Sequence, residues 1–178
     1  TLAATGSEAS NSSVITNTDD PDNWIKTGFN ADEIRPTFSI MNPELTFPLP
    51  NYQKAAGATD IMAHALERYL TNTVDVDLTD KLTEGLIQSV LSAIQEALAD
   101  PEDYEAHATL MWAGTLAHNN LLGLGREQDW ASHQIEHQIS AYNDMTHGAG
   151  LAVVMPAFMA YTLDNHVDRY YLFATNIM

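Results

Sequence analysis

The chain has 178 residues, of which 45% are hydrophobic and 17% are charged, and 24 acidic residues against seven Lys and Arg give a net charge of −17. This is an ordinary globular composition, with room for one core and at most part of a second domain. The acidic balance argues against nucleic acid and against anionic membranes as partners, because both require a basic surface. The chain contains no cysteine, so a metal site must be built from histidines and carboxylates.

The first 50 residues contain two short β-type runs, SSVIT (12–16) and TFSIMNP (37–43), each bounded by turn-forming residues. The stretch between them, beginning NTDDPDNWIKTG, is rich in turn formers. The sequence therefore predicts a hairpin or two sheet-edge strands, followed by a proline-rich connection.

From about Tyr52 onward, apolar residues recur at helical spacing and predict five helices. The boundaries are indicated by a proline after the second helix, glycines after the third, a candidate N-cap of the fourth and a proline that should bend the fifth: Pro101, Gly123, Gly125, Asp129 and Pro156. We expect an antiparallel helical bundle whose functional face points towards the β portion.

The two ends of the sequence lack ordinary start and stop signals. The chain opens TLAATGSEAS, without an initiator methionine, and closes RYYLFATNIM, within an apolar pattern. We therefore expect an internal portion of a longer protein. No apolar run approaches the roughly 20 residues of a membrane span, and no secretory signal pattern is present, so we expect a cytoplasmic location.

Histidines and one aspartate are spaced as metal ligands would be. Asp60 and His64 lie four residues apart, as do His133 and His137, and positions i and i+4 share one helix face. His147 follows the end of the helix that carries His133 and His137, at a point where the chain can fold back. Two such pairs from different helices can close a four-ligand shell, and imidazole with carboxylate suits Zn²⁺ or Fe²⁺. A single pair of this kind is more often an ordinary surface feature, so the prediction depends on the combination.

The remaining histidines, His107, His118 and His166, are interpreted as surface or internally bonded residues. His118 is the histidine to which this interpretation applies least well, because AHNN is polar within an apolar helix and could line a cleft. TGSE near the start could present backbone N–H groups and hydroxyls to a phosphate, although a simple turn explains it equally well. Ser7 is not favoured as a nucleophile, since no G-x-S-x-G motif surrounds it.

Three blocks together, TLAATGSE, GATDIMAHALE and DWASHQIEHQISAYNDMTHGAGLAVVMP, resemble the iron-containing (group III) alcohol dehydrogenases, in family order and over the full length. The resemblance is strongest to the branch of NADPH-dependent butanol dehydrogenases and broad aldehyde reductases. It implies a mainly α fold, with remnant β strands of a nucleotide-binding domain followed by a dehydroquinate synthase-like helical domain. Residues 1–50 would be the C-terminal part of the dinucleotide-binding α/β domain, and 51–178 a truncated helical metal-binding domain.

The resemblance also implies roles for individual residues. One Asp and three His would hold the divalent metal, namely Asp60, His64, His133 and His147. His137 would face the substrate and assist proton transfer. The dinucleotide would contact residues before the helical domain, namely Thr1, Thr5, Ser7, Thr46 and Leu49.

The function implied is hydride transfer between NAD(P)H and a small aldehyde or primary alcohol at an Fe²⁺ or Zn²⁺ centre, with NADP(H) favoured over NAD(H). Family members assemble as homodimers or larger homo-oligomers, so self-association is expected. Because the Gly-rich dinucleotide-binding turn is not in the sequence, the alternative is a metal-binding fragment without turnover. A helical scaffold without metal is a third hypothesis. Related sugar-phosphate cyclases are disfavoured, since seven Lys and Arg leave no basic phosphate site in the His-rich block.

Overall fold

In the computed structural model, which describes residues 3–20 and 22–178, a β-hairpin is followed by helices joined by short connections. The elements within the described residues are β1 (Ser12–Asn17), β2 (Ile25–Asn30), α1 (Asn51–Tyr69), α2 (Asp77–Ala99), α3 (Tyr104–His118), α4 (Ala131–Asn143), α5 (His147–Thr162) and α6 (Val167–Asn176). The predicted mainly α fold is confirmed. No helix in the described part of the chain is both long enough and apolar enough to cross a membrane.

The hairpin prediction is confirmed for its first strand and wrong for its second. β1 pairs antiparallel with β2, in a register running from Ser12 opposite Asn30 to Asn17 opposite Ile25. The second strand therefore lies in the stretch that was predicted as a turn. The TFSIMNP run is instead irregular and leads into a 3₁₀ turn at Pro43–Thr46. A β-type run forms a strand only when it pairs with another strand. Because β2 is nearer to β1 in sequence, it pairs with β1 and, within the described residues, leaves TFSIMNP without a partner strand.

Helix α1 lies at the centre of the bundle, packed against α2, α3 and α5. It begins directly after Pro50, whose extended backbone ends the preceding connection. Alanine-rich sequence favours the helix, and the small side chains let neighbouring helices approach closely. Ile61, Ala65 and Tyr69 are at most 1% exposed and belong to the common core.

The other helices follow the predicted pattern with three differences. The third ends at His118, earlier than predicted, because Asn120 adopts a left-handed conformation. The fourth begins at Ala131, and Asp129 accepts a hydrogen bond from its backbone N–H instead of occupying the N-cap position itself. Helix α6 was not predicted. Helix α5 continues through Pro156 to Thr162.

A glycine sets the distance between α1 and α5. A Cβ atom added at Gly148 would lie 1.9 Å from the backbone oxygen of Ala56, a distance that no side chain tolerates. Because Gly148 has no side chain, the first turn of α5 rests directly on the backbone of α1. The neighbouring residue, His147, is thereby brought over the middle of α1.

A charged cluster joins α2 to α6 and to the segment before α4. Asp80 accepts two hydrogen bonds from Arg169, each 2.7 Å long, and one of 2.5 Å from Arg126. The side chain of Arg126 is fully buried, and Arg169 also donates to the backbone oxygen of Tyr69. Burial acts to raise the pKa of Asp80, but the hydrogen bonds and charges of the two arginines outweigh it and hold that pKa below its usual range.

We expect Asp80→Asn to lower the free energy of unfolding by about 3 kcal/mol at neutral pH, because two buried guanidinium groups lose their counter-charge. Asp77→Asn is the matched control, since Asp77 pairs with Lys81 on the exposed face of the same helix, and its cost should stay below about 1 kcal/mol. Urea unfolding measures both. A depressed pKa stabilises the fold above the unfolded value of about 3.9 and ceases to do so as the pH falls through the folded value. The difference between wild type and Asp80→Asn should therefore shrink in acid, and equal stability at pH 7 would contradict the assignment.

Candidate metal centre

Asp60 lies at the centre of a cluster of imidazoles contributed by three helices. Its Oδ1 atom is 3.6 Å from Nε2 of His64, 3.5 Å from Nε2 of His133 and 3.6 Å from Nε2 of His147. Asp60 and His133 are buried, and the other two histidines are partly exposed. The structure thus brings together the four residues that the family resemblance implies as metal ligands.

The local structure explains how each side chain reaches the cluster. His64 follows Asp60 by one turn of α1. His133 stands in the first turn of α4, whose entry is fixed by a hydrogen bond from the N–H of Asp129 to the backbone oxygen of Glu67. His147 is the first residue of α5, held over α1 by the contact at Gly148.

The donor set fits a divalent cation. Oδ1 of Asp60 and Nε2 of His133 are buried, and within the described ranges neither finds a hydrogen-bond partner. A buried polar atom without a partner is costly, and a cation would satisfy both. Ligand atoms around a tetrahedral metal at about 2.0–2.2 Å are separated by about 3.3–3.6 Å. The three oxygen–nitrogen distances lie in or at the edge of that range.

Two buried glutamates orient the imidazoles from behind. Glu67 accepts a hydrogen bond from Nδ1 of His133, and Glu136 accepts one from Nδ1 of His147. In each case Nε2 is left to face Asp60, which is the carboxylate–histidine arrangement found behind many protein metals. Lys26 of β2 lies 3.8 Å from Glu136 and donates a 2.8 Å hydrogen bond to Ser140. The hairpin therefore contacts the cluster, as expected for a site on the side of the β portion.

The protonation states follow from burial and from neighbouring charges. Burial, with the proximity of His118 and His133, holds the pKa of His64 well below its usual range, so this imidazole is a neutral donor. Burial also opposes protonation of His133, but the adjacent carboxylates of Asp60 and Glu67 outweigh it and raise its pKa to about 9. A metal would compete with that proton for Nε2.

His137, predicted as a catalytic residue, lies beside the cluster without reaching Asp60. Its ring centroid is 5.2 Å from that of His147 and 6.2 Å from that of His133. Burial and the charge of Lys26 lower its pKa to about 4.

The predicted cofactor contacts are dispersed. Thr5 and Ser7 are exposed on a loop whose Gly6 packs against the end of α3, next to the cluster, whereas Thr1 lies outside the described residues. Their contact with a cofactor stays a prediction.

Thr46 and Leu49 lie away from the histidine cluster. The Thr46 side chain is 1% exposed and its hydroxyl donates to the backbone oxygen of Pro43 while contacting Nδ1 of His107 at 2.6 Å. Leu49 lines a small pocket together with Thr46, His107 and Lys54. The Thr46 hydroxyl is therefore occupied by contacts within the protein. Cofactor binding by Thr46 or Leu49 stays a prediction.

Sequence reasoning missed Glu67 and Glu136 and underrated His118. Glu67 follows Asp60 by seven residues and His64 by three, so it occupies the same helix face, and Glu136 directly precedes His137. Spacing could have nominated both glutamates. His118 lies with its ring centroid 3.7 Å from that of His64. It comes from a helix that carries none of the other candidates, so no spacing rule points to it.

Comparison with known proteins identifies the family. The profile described as Fe-containing alcohol dehydrogenase family, C-terminal, matches residues 54–178, and this chain belongs to that family. The predicted resemblance is thereby confirmed. NADH-dependent butanol dehydrogenase A of Clostridium acetobutylicum is 39% identical over 178 residues, covering 99% of this chain and 45% of the relative. NADPH-dependent aldehyde reductase YqhD of Escherichia coli K12 is 38% identical over 157 residues, covering 88% and 40%.

Solved structures show the same relationship. The crystal structure of NADH-dependent butanol dehydrogenase A from Thermotoga maritima superimposes with a TM-score of 0.94 at 36% identity, covering all of this chain and 44% of that one. The chain thus spans less than half the length of these relatives.

We expect Glu67→Gln to weaken metal binding about 10–100-fold, because the amide cannot supply the charge that makes His133 a strong donor. The measurement is competition between the protein and a coloured chelator for added Zn²⁺. Glu96→Gln, on the exposed face of α2, is the control and should behave as wild type. Equal affinities for the two variants would mean that Glu67 does not support the centre.

Proposed function

We propose that this chain holds the metal of an NAD(P)-dependent alcohol dehydrogenase or aldehyde reductase that acts on a small aldehyde or primary alcohol. The observation that carries the proposal is the convergence of three imidazole nitrogens on one buried oxygen of Asp60. Membership of the family and the names of the relatives support the reaction class.

The residues have separable roles in such a reaction. Asp60, His64, His133 and His147 would hold Fe²⁺ or Zn²⁺, and Glu67 and Glu136 would keep two of the imidazoles turned towards it. The bound metal would supply Lewis-acid polarisation of the substrate oxygen, and the nicotinamide would supply the hydride. His137, next to His147 and outside the ligand set, is proposed to face the substrate and pass a proton.

The nicotinamide coenzyme is proposed to be NADP(H) in preference to NAD(H), on the branch resemblance. The relatives point both ways, since the butanol dehydrogenases are named NADH-dependent and YqhD is named NADPH-dependent. Steady-state reduction with each coenzyme at matched concentrations decides between them.

Two further features complete the proposal. Residues 1–50 are proposed to belong to the dinucleotide-binding part, with Thr1, Thr5, Ser7, Thr46 and Leu49 near the cofactor. Homodimers or larger homo-oligomers are proposed as the assembly.

The competing hypothesis is that the 178 residues by themselves bind metal without turnover. It is favoured by one observation, that they cover about 40–45% of the length of the matched relatives. The two hypotheses make the same prediction for metal and opposite predictions for activity of the isolated chain.

We expect about one Zn or Fe per chain in protein purified without chelator, and its loss in His133→Ala. The same substitution should abolish NADPH-dependent reduction of butyraldehyde by the protein as its gene encodes it. His166→Gln, a change outside the cluster, is the control. Elemental analysis and absorbance at the nicotinamide band measure the two effects. Aldehyde reduction unaffected by His133→Ala would overturn the proposal, and turnover by the isolated 178 residues would overturn the competing one.

We expect His137→Gln to retain the metal and to lower kcat about 100-fold, because the ring lies outside the ligand set but beside His147. Gln138→Ala, an exposed change on the same helix, should leave kcat unchanged. Parallel metal analysis and steady-state kinetics separate the roles. Loss of metal in His137→Gln would make His137 a ligand, and an unchanged kcat would remove it from the reaction.

A further inference from the structure

A fifth histidine borders the candidate metal centre. His118 is the last residue of α3, and a ring nitrogen of His118, a carboxylate oxygen of Asp60 and a ring nitrogen of His64 lie within 4.8 Å of one another. Its ring is tilted by 40° against that of His64. Asp60 therefore takes part in two potential ligand groups, one with His133 and His147 and one with His64 and His118.

Within the described ranges, the hydrogen bonding of His118 leaves one ring nitrogen available to a cation. Nδ1 lies 2.8 Å from the backbone oxygen of Gly114, four residues earlier in α3. A carbonyl oxygen only accepts, so Nδ1 carries the proton and Nε2 of the neutral ring keeps its lone pair. That lone pair is what a metal requires from imidazole.

The loop that carries TGSE holds His118 in place. A Cβ atom added at Gly6 would lie 2.3 Å from Cβ of His118, and Gly6 has a φ of +56° that favours glycine. An added Cβ at Gly114 would lie 2.7 Å from the backbone oxygen of Ala3, so the loop also rests on α3 one turn earlier. The backbone of the loop thus covers the base of the His118 side chain.

His64 differs from the other two histidines in its support. His133 and His147 each donate Nδ1–H to a glutamate, whereas Nδ1 of His64 is buried and meets no partner in residues 3–20 and 22–178. On this side of Asp60 the neighbouring group is a second imidazole. A neutral nitrogen donor next to a carboxylate and another imidazole is what a cation site offers.

We propose that His118 is a fifth protein ligand of the metal, so that Asp60, His64 and His118 form a second face of the same centre. The proposal rests on the metal site put forward above. Nδ1 of His118 is held by Gly114, so Nε2 is the nitrogen that would serve as the ligand, and catalytic zinc sites can become five-coordinate. A set of four imidazoles and one carboxylate favours Zn, Fe, Ni or Cu over the oxygen-preferring Mg and Ca.

The test compares His118→Phe with wild type, in the protein as its gene encodes it, after loading with Co²⁺ and separately with Zn²⁺. Phenylalanine keeps a ring against His64 and Gly6 but offers no nitrogen, so it separates ligation from packing. Tetrahedral Co²⁺ absorbs several-fold more strongly in the visible range than five-coordinate Co²⁺. We expect the stronger band in His118→Phe, and loss of Zn²⁺ to excess chelator about 10–100-fold faster than in wild type.

A second variant shows whether any change in His118→Phe comes from the lost nitrogen or from misfolding. His118→Ala leaves space for free imidazole, which should restore the wild-type Co²⁺ spectrum if a nitrogen ligand is what the variant lacks. His166→Phe, a histidine outside the cluster, is the control and should change neither spectrum nor rate.

The outcomes distinguish this proposal from the one on which it depends. If the wild-type protein binds metal and has the same Co²⁺ spectrum and the same rate of Zn²⁺ loss as His118→Phe, the role of His118 is overturned. The metal site proposed above is then unaffected. Wild-type protein without metal would overturn both proposals. A stronger band in both variants, reversed by imidazole in His118→Ala, would establish His118 as a ligand.

Discussion

A carboxylate taken out of water needs a positive partner, and in the described structure Oδ1 of Asp60 meets only imidazoles. The rest of the site is organised around this buried charge. Glu67 and Glu136 add two more buried carboxylates, and Lys26 is the cation that approaches Glu136. A divalent cation would supply further positive charge among these three buried acids, beside the contribution of Lys26.

The bundle holds this arrangement by bringing helices together at short distances. Helix α1 supplies Asp60, His64 and Glu67 from one face, so half of the centre is set by helical geometry alone. The other half depends on how α4 and α5 dock. Gly148 lets α5 rest on the backbone of α1, and any side chain there would push His147 away from Asp60.

The segments before the helices also reach the centre. Lys26 links the hairpin to Glu136 and Ser140, and the loop at Gly6 covers the base of His118. Thr5 and Ser7, which are proposed to face the cofactor, flank Gly6 on the loop that contacts His118, although more than 50 residues separate them from Asp60 in sequence. In the proposed reaction, such contacts would help to hold a coenzyme and a metal around one substrate.

The sequence alone determined the mainly helical fold, the course of α1 and α2, and the i, i+4 placement of Asp60 with His64 and of His133 with His137, because these depend on local periodicity. The family resemblance added His147 to the ligand set. Only the tertiary structure decided that β2 lies at Ile25–Asn30, that Glu67 and Glu136 stand behind two imidazoles, and that His118 borders the cluster from α3. A repeat of 3.6 residues specifies which side chains share one helix face, whereas contacts between α1, α3 and α4 depend on packing distances to which no local pattern is sensitive.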